Sequence, residues 1–283
     1  MSYLFELNAI YWIQEFRTPW LDVFFKFLNL FDTPIFFFIL IPVVWVGKNW
    51  KMGIKLFYAL AINGFVNRVL KNLFELPRPF DLDPSLAVIQ VQGYGLPSGA
   101  AQTVILLSGF LVSSWKSPWR WPVALTYIFL ISLSRLYLGV HFISDLLAGW
   151  LVGFLLWALF TYCTPKIESA LQKLRPFTLF ALGELIPLSW FWITPFSLAL
   201  YKSSAAMGLC LGLFINYKKD GILDASLTKS TFFIRAILAA SITGFLHLLA
   251  LQFSLNPLLE CFLIGLWVAS GSVLLCRALF GLR

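Results

Sequence analysis

Long apolar runs recur along almost the entire chain and constrain its fold more than any other feature. Of the 283 residues, 60% are hydrophobic and only 12% are charged, and the mean hydropathy is +0.84. One water-soluble core cannot bury so much apolar surface, whereas helices that cross a bilayer expose it to lipid. We therefore predict an all-α polytopic membrane bundle of about nine transmembrane helices, with interfacial helices at its amino end. The predicted spans are 33–47, 53–74, 97–115, 119–134, 141–162, 177–200, 203–217, 232–252 and 259–276.

We expect this bundle to be one integrated domain with three consecutive parts. Residues 1–32 mix apolar and charged positions and break at Thr18-Pro19, which favours amphipathic helices in the membrane interface. Membrane anchoring explains this segment more simply than a lid or a partner-binding role. Residues 33–165 form the predicted core bundle, and residues 166–283 add further C-terminal spans. The first part lacks a basic start followed by an apolar core, so we expect no cleaved signal peptide.

Basic residues are distributed unevenly between the two sides of the predicted bundle. Fourteen of the 21 Lys and Arg residues fall on one side, which the positive-inside rule identifies as cytoplasmic. The basic excess is therefore a topology signal, and we expect no nucleic-acid partner. The amino terminus and residues 133–145 then face the non-cytoplasmic side. The spans 33–47 and 203–217 are short for a bilayer, and the downstream orientation inverts if either fails to cross.

Arg135, His141 and Asp145 lie between two of the apolar runs, where ionisable side chains are costly and usually functional. If a helix continues from His141, Asp145 lies one turn further along the same face and orients the imidazole through one ring nitrogen. The other nitrogen is then available as a base or a nucleophile. The alternative is a short polar turn between two helices that contains a satisfied His–Asp pair.

Two further polar stretches reach the same predicted side of the membrane. Lys71 and Arg78 are seven residues apart, a spacing that puts both on nearly one face if the second span continues. Pro97 suits the first turn of the third span, where Ser98 and Gly99 offer a capping hydroxyl and an open backbone. Free N–H groups at such a helix start bind anions. Interfacial snorkelling of two cations and an ordinary capped helix are the alternatives.

These groups together suit a phosphoryl group as substrate. The three cations and the helix start can hold its equatorial oxygens while His141 attacks the phosphorus in line. No carboxylate cluster suited to magnesium is apparent, so we predict a site without a metal or a cofactor. The cysteines occur singly and predict apolar packing rather than a disulfide or a metal site. They are Cys163, Cys210, Cys261 and Cys276.

The polar stretches resemble the motifs of the type 2 phosphatidic acid phosphatase superfamily. Residues 71–79 are similar to its KxxxxxxRP element, residues 97–100 to its PSGH element and residues 134–145 to its SRxxxxxHxxxD element. The resemblance implies a membrane phosphatase in which His141 forms a phosphohistidine and Asp145 orients it. It also implies that the phosphate is bound by Lys71, Arg78, Ser98, Gly99 and Arg135.

Ala100 stands where this superfamily has the His that protonates the leaving group. Ala carries no proton, and loss of a general acid typically costs about 10² to 10⁴ in rate. The chain is therefore either a natural relative that binds without efficient turnover or one altered at this position, and the intact remainder of the site favours alteration. A phosphate leaving group, with a second pKa of about 6, departs without a proton more readily than an alkoxide. We expect residual turnover to favour pyrophosphates over monophosphates.

The expected substrate is a lipid phosphate or a polyprenyl pyrophosphate, whose head group reaches the outward-facing site while its tail stays between the helices. The loop between Pro79 and Leu96 is short for a lid over a soluble sugar. However, the nine-span layout also resembles glucose-6-phosphatase, so a soluble sugar phosphate is an alternative substrate. A phosphate-lipid binding or transport protein is the non-enzymatic alternative. No oligomeric state follows from the sequence.

Three ionisable residues of the C-terminal spans lie outside these motifs. Glu184, His247 and Glu260 are expected to make hydrogen bonds that pack helices together. A second functional site is the alternative, because ionisable groups within a bilayer often have one.

Overall fold

The computed structural model describes residues 2–193, 197–219 and 229–280, and every regular element within these ranges is helical. The all-α prediction is therefore confirmed. The predicted span 177–200 contains residues 194–196, which lie outside the described residues. The helices are α1 (Ser2–Glu15), α2 (Pro19–Asn29), α3 (Pro34–Gly47), α4 (Trp50–Phe74), α5 (Pro79–Leu82), α6 (Gly99–Ser114), α7 (Arg120–Tyr137), α8 (Ile143–Leu171), α9 (Pro176–Ile193), α10 (Ser197–Lys219), α11 (Lys229–Gln252), α12 (Pro257–Leu266) and α13 (Ser272–Phe280).

Within the described ranges, three helices are long and apolar enough to cross a membrane, and a bent pair of helices would make a fourth span. This pair consists of Pro19–Asp32 and Pro34–Gly47. Two shorter helices are also apolar, whereas α4 is long but contains the polar residues Asn67 and Arg68. The molecule is a membrane helical bundle, and the count of nine spans stays a prediction. The three long spans are Ile143–Leu171, Phe233–Gln252 and Pro257–Leu279.

The chain divides into two compact units. Unit 1 contains Met1–Thr33 and Ile62–Thr164, and unit 2 contains Pro34–Ala61 and Pro165–Arg283. Every residue of the predicted phosphate site belongs to unit 1. The division of one integrated domain at residues 32 and 165 stays a prediction.

The two helices predicted for the first 32 residues are observed as α1 and α2. In unit 1, Phe25 and Leu28 of α2 belong to the same buried cluster as Ala100 of α6 and Ile131 of α7. The ring of Phe25 also stacks on that of Tyr137, with centroids 4.1 Å apart. The apolar face of α2 is therefore buried against α6 and α7, which carry residues of the predicted phosphate site. A position of these helices in the membrane interface stays a prediction.

Helix α8 approaches α6 closely at Gly149. A Cβ atom on residue 149 would lie 2.6 Å from the carbonyl oxygen of Ser98 and 3.0 Å from the Cβ of Ala101, so only Gly fits here. Because Asp145 lies one turn before Gly149, this close approach holds the start of α8 beside the start of α6.

Buried amide side chains join α4 to α6 in unit 1. Asn63 donates to the hydroxyl of Thr103 over 2.9 Å, and Asn67 donates to Gln102 over 2.9 Å. Gln102 in turn donates to the carbonyl oxygen of Asn63 over 3.0 Å. In a membrane such interhelical hydrogen bonds fix how two helices pack, because an unpaired amide in hydrocarbon is costly.

Unit 2 contains the C-terminal ionisable residues. Nδ1 of His247 in α11 lies 2.5 Å from Oε1 of Glu260 in α12, and Glu184 of α9 interacts with the thiol of Cys210 in α10. Both contacts join neighbouring helices, as expected for packing hydrogen bonds.

Candidate active site

His141 and Asp145 form a hydrogen-bonded pair at the start of α8. Nδ1 of His141 lies 3.1 Å from Oδ2 of Asp145, and the same oxygen accepts the backbone N–H of Phe142 over 3.0 Å. His141 itself precedes the helix, because α8 begins two residues later at Ile143. The pair still forms, since Asp145 lies in the first helical turn and its carboxylate accepts hydrogen bonds from residues just before the helix. In this arrangement Nδ1 carries the proton and Nε2 has the free electron pair.

Arg78 lies beside this free nitrogen. Its NH1 group is 3.4 Å from Nε2 of His141 and donates to the carbonyl oxygen of Val140 over 2.8 Å, while Nε donates to Gly93 over 2.7 Å. The side chain is 4% exposed, and its backbone is extended, as the flanking prolines predict. Burial lowers the pKa of Arg78, whereas the nearby carboxylates of Asp145 and Asp81 raise it. The guanidinium remains charged, because its ordinary pKa lies so far above neutrality.

Lys71 binds the same loop as Arg78, at different carbonyl groups. Its ammonium group donates to the carbonyl oxygens of Tyr94 and Gly95, the second over 2.9 Å. The predicted common helical face for Lys71 and Arg78 is not observed, because α4 ends at Phe74. The two cations instead converge through the carbonyl groups of residues 93–95, which bind both side chains.

Ser98 and Gly99 form the start of α6, close to Asp145. Ser98 is the N-cap residue, and its hydroxyl accepts the N–H of Ala101 over 3.4 Å. Its own N–H donates to the backbone carbonyl of Asp145 over 3.0 Å. The helix begins at Gly99, so Pro97 precedes the cap rather than lying in the first turn as predicted. The first N–H groups of α6 therefore lie beside the His–Asp pair, where they can hold an anion.

Ala100 occupies an apolar environment at the first turn of α6. It is 2% exposed and packs in the cluster that contains Phe25, Leu28 and Val104. A methyl group here supplies neither a proton nor a hydrogen bond. The residue at which the motif resemblance implies a general acid is thus a packed apolar residue in this chain.

Arg135, in the last turn of α7, is 3% exposed and is held by two neutral side chains. Its Nε donates to the hydroxyl of Ser134 over 3.0 Å, and NH1 donates to Oδ1 of Asn29 over 2.7 Å. The remaining nitrogen, NH2, has no hydrogen-bond partner among the described residues. Because both of these hydrogen-bond partners are uncharged, neither forms an ion pair with the guanidinium.

The structure brings the predicted site residues together in unit 1. Lys71, Arg78 and Arg135 each interact electrostatically with His141, although they come from three different parts of the chain. This arrangement can bind an oxyanion between three cations and a helix start, with a nucleophilic nitrogen facing it. Among the described residues, no three His, Cys, Asp or Glu side chains lie close enough to hold a metal ion.

The part of the chain that contains this site matches a known family. The model of the PAP2 superfamily matches residues 53–169, which include every motif described above. Residues 53–169 form a PAP2 superfamily domain. The resemblance inferred from the motifs is therefore confirmed at the level of the superfamily, while the roles of the individual residues stay predictions.

Two relatives of this domain have names that specify lipid substrates. The chain is 30% identical over 167 residues to a dihydrosphingosine 1-phosphate phosphatase of Schizosaccharomyces pombe, which covers 52% of this chain and 39% of the relative. It is 33% identical over 109 residues to an undecaprenyl-diphosphatase of Sulfolobus acidocaldarius, which covers 38% of this chain and 52% of the relative. The chain thus spans about half or less of the length of these relatives.

The fold of the PAP2 domain also matches a solved membrane structure. The crystal structure of a transmembrane PAP2 type phosphatidylglycerolphosphate phosphatase from Bacillus subtilis has a TM-score of 0.50 and 24% sequence identity to this chain. The match covers 59% of this chain and 87% of that one. The likeness supports the helical fold of this part of the chain.

Sequence reasoning missed the residues that support the site from outside the motifs. These are Asn29, which binds Arg135, and the carbonyl groups of residues 93–95, which bind Lys71 and Arg78. Backbone carbonyls leave no sequence signal. Asn29 does leave a weak one, since Asp22, Lys26 and Asn29 follow each other at intervals of four and three residues and so share one face of α2.

Proposed function

We propose that this chain is an integral membrane phosphatase that hydrolyses a lipid phosphate or a polyprenyl pyrophosphate through a phosphohistidine. The observation that carries the proposal is the position of His141, with Nδ1 held 3.1 Å from Asp145 and Nε2 3.4 Å from a guanidinium nitrogen of Arg78. A nucleophile, its orienting carboxylate and a cation for the phosphate are thus next to one another.

The proposed reaction has two steps. Nε2 of His141 attacks the phosphorus as the bond to the leaving oxygen breaks, and the hydrogen bond from Nδ1 to Asp145 stabilises the positive imidazole that develops. Water then attacks the phosphorus, the N–P bond breaks and phosphate leaves. Lys71, Arg78, Arg135 and the N–H groups after Ser98 would neutralise the charge on the equatorial oxygens, so the proposed reaction requires no metal ion.

We infer a lipid substrate from two considerations. The names of both relatives specify lipid-linked substrates, a sphingoid base phosphate and a polyprenyl diphosphate. In addition, the site belongs to a bundle whose exposed helical surface is apolar and can accommodate an acyl or prenyl tail. In this proposal the site lies on the non-cytoplasmic face, and the uneven distribution of basic residues supports that side.

The Ala at residue 100 should make the enzyme slow. Without a general acid at this position the alkoxide of a monoester is a poor leaving group, so the proposed activity is impaired and favours pyrophosphates.

A panel of substrates tests this proposal. Phosphate release by the purified protein would be measured with polyprenyl pyrophosphate, phosphatidate, sphingoid phosphate and glucose 6-phosphate, for the native chain and for Ala100→His. We expect Ala100→His to release phosphate from at least one lipid substrate and His141→Asn in the same background to release none. Release from glucose 6-phosphate alone would contradict the proposed substrate class.

A binding protein without turnover is the second candidate, and the buried apolar environment of Ala100 favours it. The two candidates differ in whether a covalent intermediate forms. If the chain is an enzyme, a radiolabelled pyrophosphate substrate should leave an acid-labile label on it. This label should be absent from His141→Asn. Tight binding with neither label nor release would favour the binding protein.

A further inference from the structure

Helix α2 holds the end of α7 by two side-chain hydrogen bonds. Oδ1 of Asn29 accepts a hydrogen bond from NH1 of Arg135 over 2.7 Å. Oδ1 of Asp22 accepts one from the hydroxyl of Tyr137, also over 2.7 Å. Asp22 and Asn29 are seven residues apart in the sequence, about two helical turns, so both lie on one face of α2. This face is therefore directed at the last turn of α7, which contains Arg135.

The end of α7 is connected to the proposed nucleophile through backbone groups. The carbonyl oxygen of Arg135 accepts the N–H of Val140 over 3.2 Å. The carbonyl oxygen of Val140 accepts NH1 of Arg78 over 2.8 Å, and the same NH1 lies 3.4 Å from Nε2 of His141. Arg135 is therefore linked by hydrogen bonds to the residue directly before His141 and, through it, to the guanidinium beside the imidazole.

One guanidinium nitrogen of Arg135 is left for a ligand. Nε and NH1 donate to Ser134 and Asn29, whereas NH2 is buried and has no hydrogen-bond partner among the residues that the structure describes. Because the guanidinium is planar, hydrogen bonds at two of its nitrogens also fix the direction of the third. A buried donor without a partner is costly, so a ligand that accepts a hydrogen bond from NH2 is favoured.

The group that fixes NH1 is an amide and not a carboxylate. None of the ion pairs in the described ranges includes Arg135, whereas Asp22 of the same helix forms one with Arg17. A carboxylate at residue 29 could hold NH1 equally well, but its charge would compete with a bound phosphate for the guanidinium. A neutral acceptor fixes the side chain without this competition.

We propose that Asn29 is a positioning residue of the active site, whose amide oxygen holds Arg135 so that NH2 of the guanidinium faces the phosphate group of the substrate. The inference rests on the proposed phosphatase function, which supplies this phosphate group. Residue 29 precedes the matched residues 53–169, so the contribution comes from outside the PAP2 domain. Asn29 itself contacts neither the substrate nor the reacting atoms.

Anion binding tests this inference without turnover. Sulfate is a dianion near neutral pH, and its affinity for the detergent-solubilised full chain would be measured by calorimetry. Asn29→Ala frees the guanidinium of Arg135, and we expect sulfate affinity to fall about tenfold. Tyr137→Phe is the matched control, because it removes the other 2.7 Å hydrogen bond between α2 and α7 and leaves that of Arg135 in place. Equal losses in the two variants would indicate that α2 only supports the fold, and they would overturn the inference.

Asn29→Asp tests the need for a neutral acceptor. Asp has nearly the same size and keeps the acceptor oxygen, so a purely structural contact would be preserved. We expect sulfate affinity to fall about tenfold or more, because the carboxylate competes with the anion for Arg135. An affinity equal to that of the native chain would overturn the inference. This comparison also decides the matter if Asn29→Ala does not fold.

A double-mutant cycle shows whether Asn29 acts through Arg135. In the Arg135→Ala background, Asn29→Ala should cause no further loss of sulfate affinity, because no guanidinium is left to position. The same loss with and without Arg135 would overturn the inference.

Turnover separates this inference from the proposed function. In the Ala100→His background, Asn29→Ala should lower kcat/KM for a lipid phosphate by about tenfold, and Tyr137→Phe by much less. If Ala100→His is inactive, the proposed function fails, while the sulfate comparisons still decide whether Asn29 positions Arg135. If the native chain binds no sulfate, the anion site is absent and the inference is overturned.

Discussion

The carboxylate of Glu6 accepts two hydrogen bonds of 3.0 Å from Ser144, a residue 138 positions later in the chain. One comes from the backbone N–H and one from the hydroxyl, in the first turn of α8. Glu6 thus satisfies an N–H group that has no partner within its helix and complements the positive end of the helix dipole. The contact fixes the backbone between His141 and Asp145.

Removal of this carboxylate should loosen the start of α8. Glu6→Ala removes the acceptor of the part-buried N–H of Ser144, and we expect a loss of about 1 kcal/mol in the free energy of unfolding, as for the loss of a helix cap. Glu6→Gln retains one acceptor oxygen and should lose less. Thermal unfolding in detergent measures both, with Glu15→Ala as the control on the same helix. Equal unfolding temperatures for Glu6→Ala and the control would contradict the contact.

Gly149 is expected to be essential for the geometry of the site. A methyl group at residue 149 would meet the carbonyl oxygen of Ser98 at 2.6 Å and must push α8 away from α6. The hydrogen bond from Ser98 N–H to Asp145 would then lengthen, so Gly149→Ala should lower both stability and phosphate release, measured in the Ala100→His background. Gly244→Ala is the matched control, because nothing lies within 4 Å of a Cβ at residue 244. The control should be neutral or stabilised by about 0.5–1 kcal/mol through helix propensity. A neutral effect at both positions would show that the two helices can separate without consequence.

Much of this arrangement is predictable from the sequence for a physical reason. Arg135, His141 and Asp145 are ionisable residues between apolar runs, and the cost of burying them indicates that they have partners. Local spacing then relates His141 to Asp145, since a carboxylate in a first helical turn reaches the residues just before it. The predicted cluster of three cations with this pair is what the structure brings together.

Contacts between distant segments were not predictable in the same way. Asn29 and Arg135 are 106 residues apart, and no spacing rule connects an interfacial helix to a particular guanidinium. Likewise, the backbone carbonyl groups that hold Lys71 and Arg78 have no sequence signal, so these two contacts were not predictable. The mixed composition of residues 3–31 predicted amphipathic helices. It did not indicate that they contact the site, because an apolar helix face can be buried against lipid or against protein.

Asp145→Asn tests whether the site needs the negative charge of this carboxylate or only a hydrogen-bond acceptor in its place. The amide has nearly the same size and can still accept a hydrogen bond, but it cannot stabilise the positive imidazole that forms during attack. We expect kcat in the Ala100→His background to fall by about 10² or more, with a smaller change in KM. Sulfate affinity serves as the control, since the cations that bind the anion are retained. If kcat were unchanged, Asp145 would have only a structural role.

Ala100→His should increase activity and decrease stability in the same molecule. The new imidazole supplies a proton to the leaving group, so cleavage of a lipid monophosphate should rise by about 10² to 10⁴ and cleavage of a pyrophosphate by less. At the same time the ring must fit where a methyl group packs against Phe25 and Leu28. Overpacking of this kind typically costs about 1–3 kcal/mol. Phosphate release and thermal unfolding of the two proteins measure both effects, and Ala100→Leu, which adds bulk without a proton, controls for packing. A similar increase in the cleavage rates of monophosphate and pyrophosphate would show that the increase does not come from proton donation.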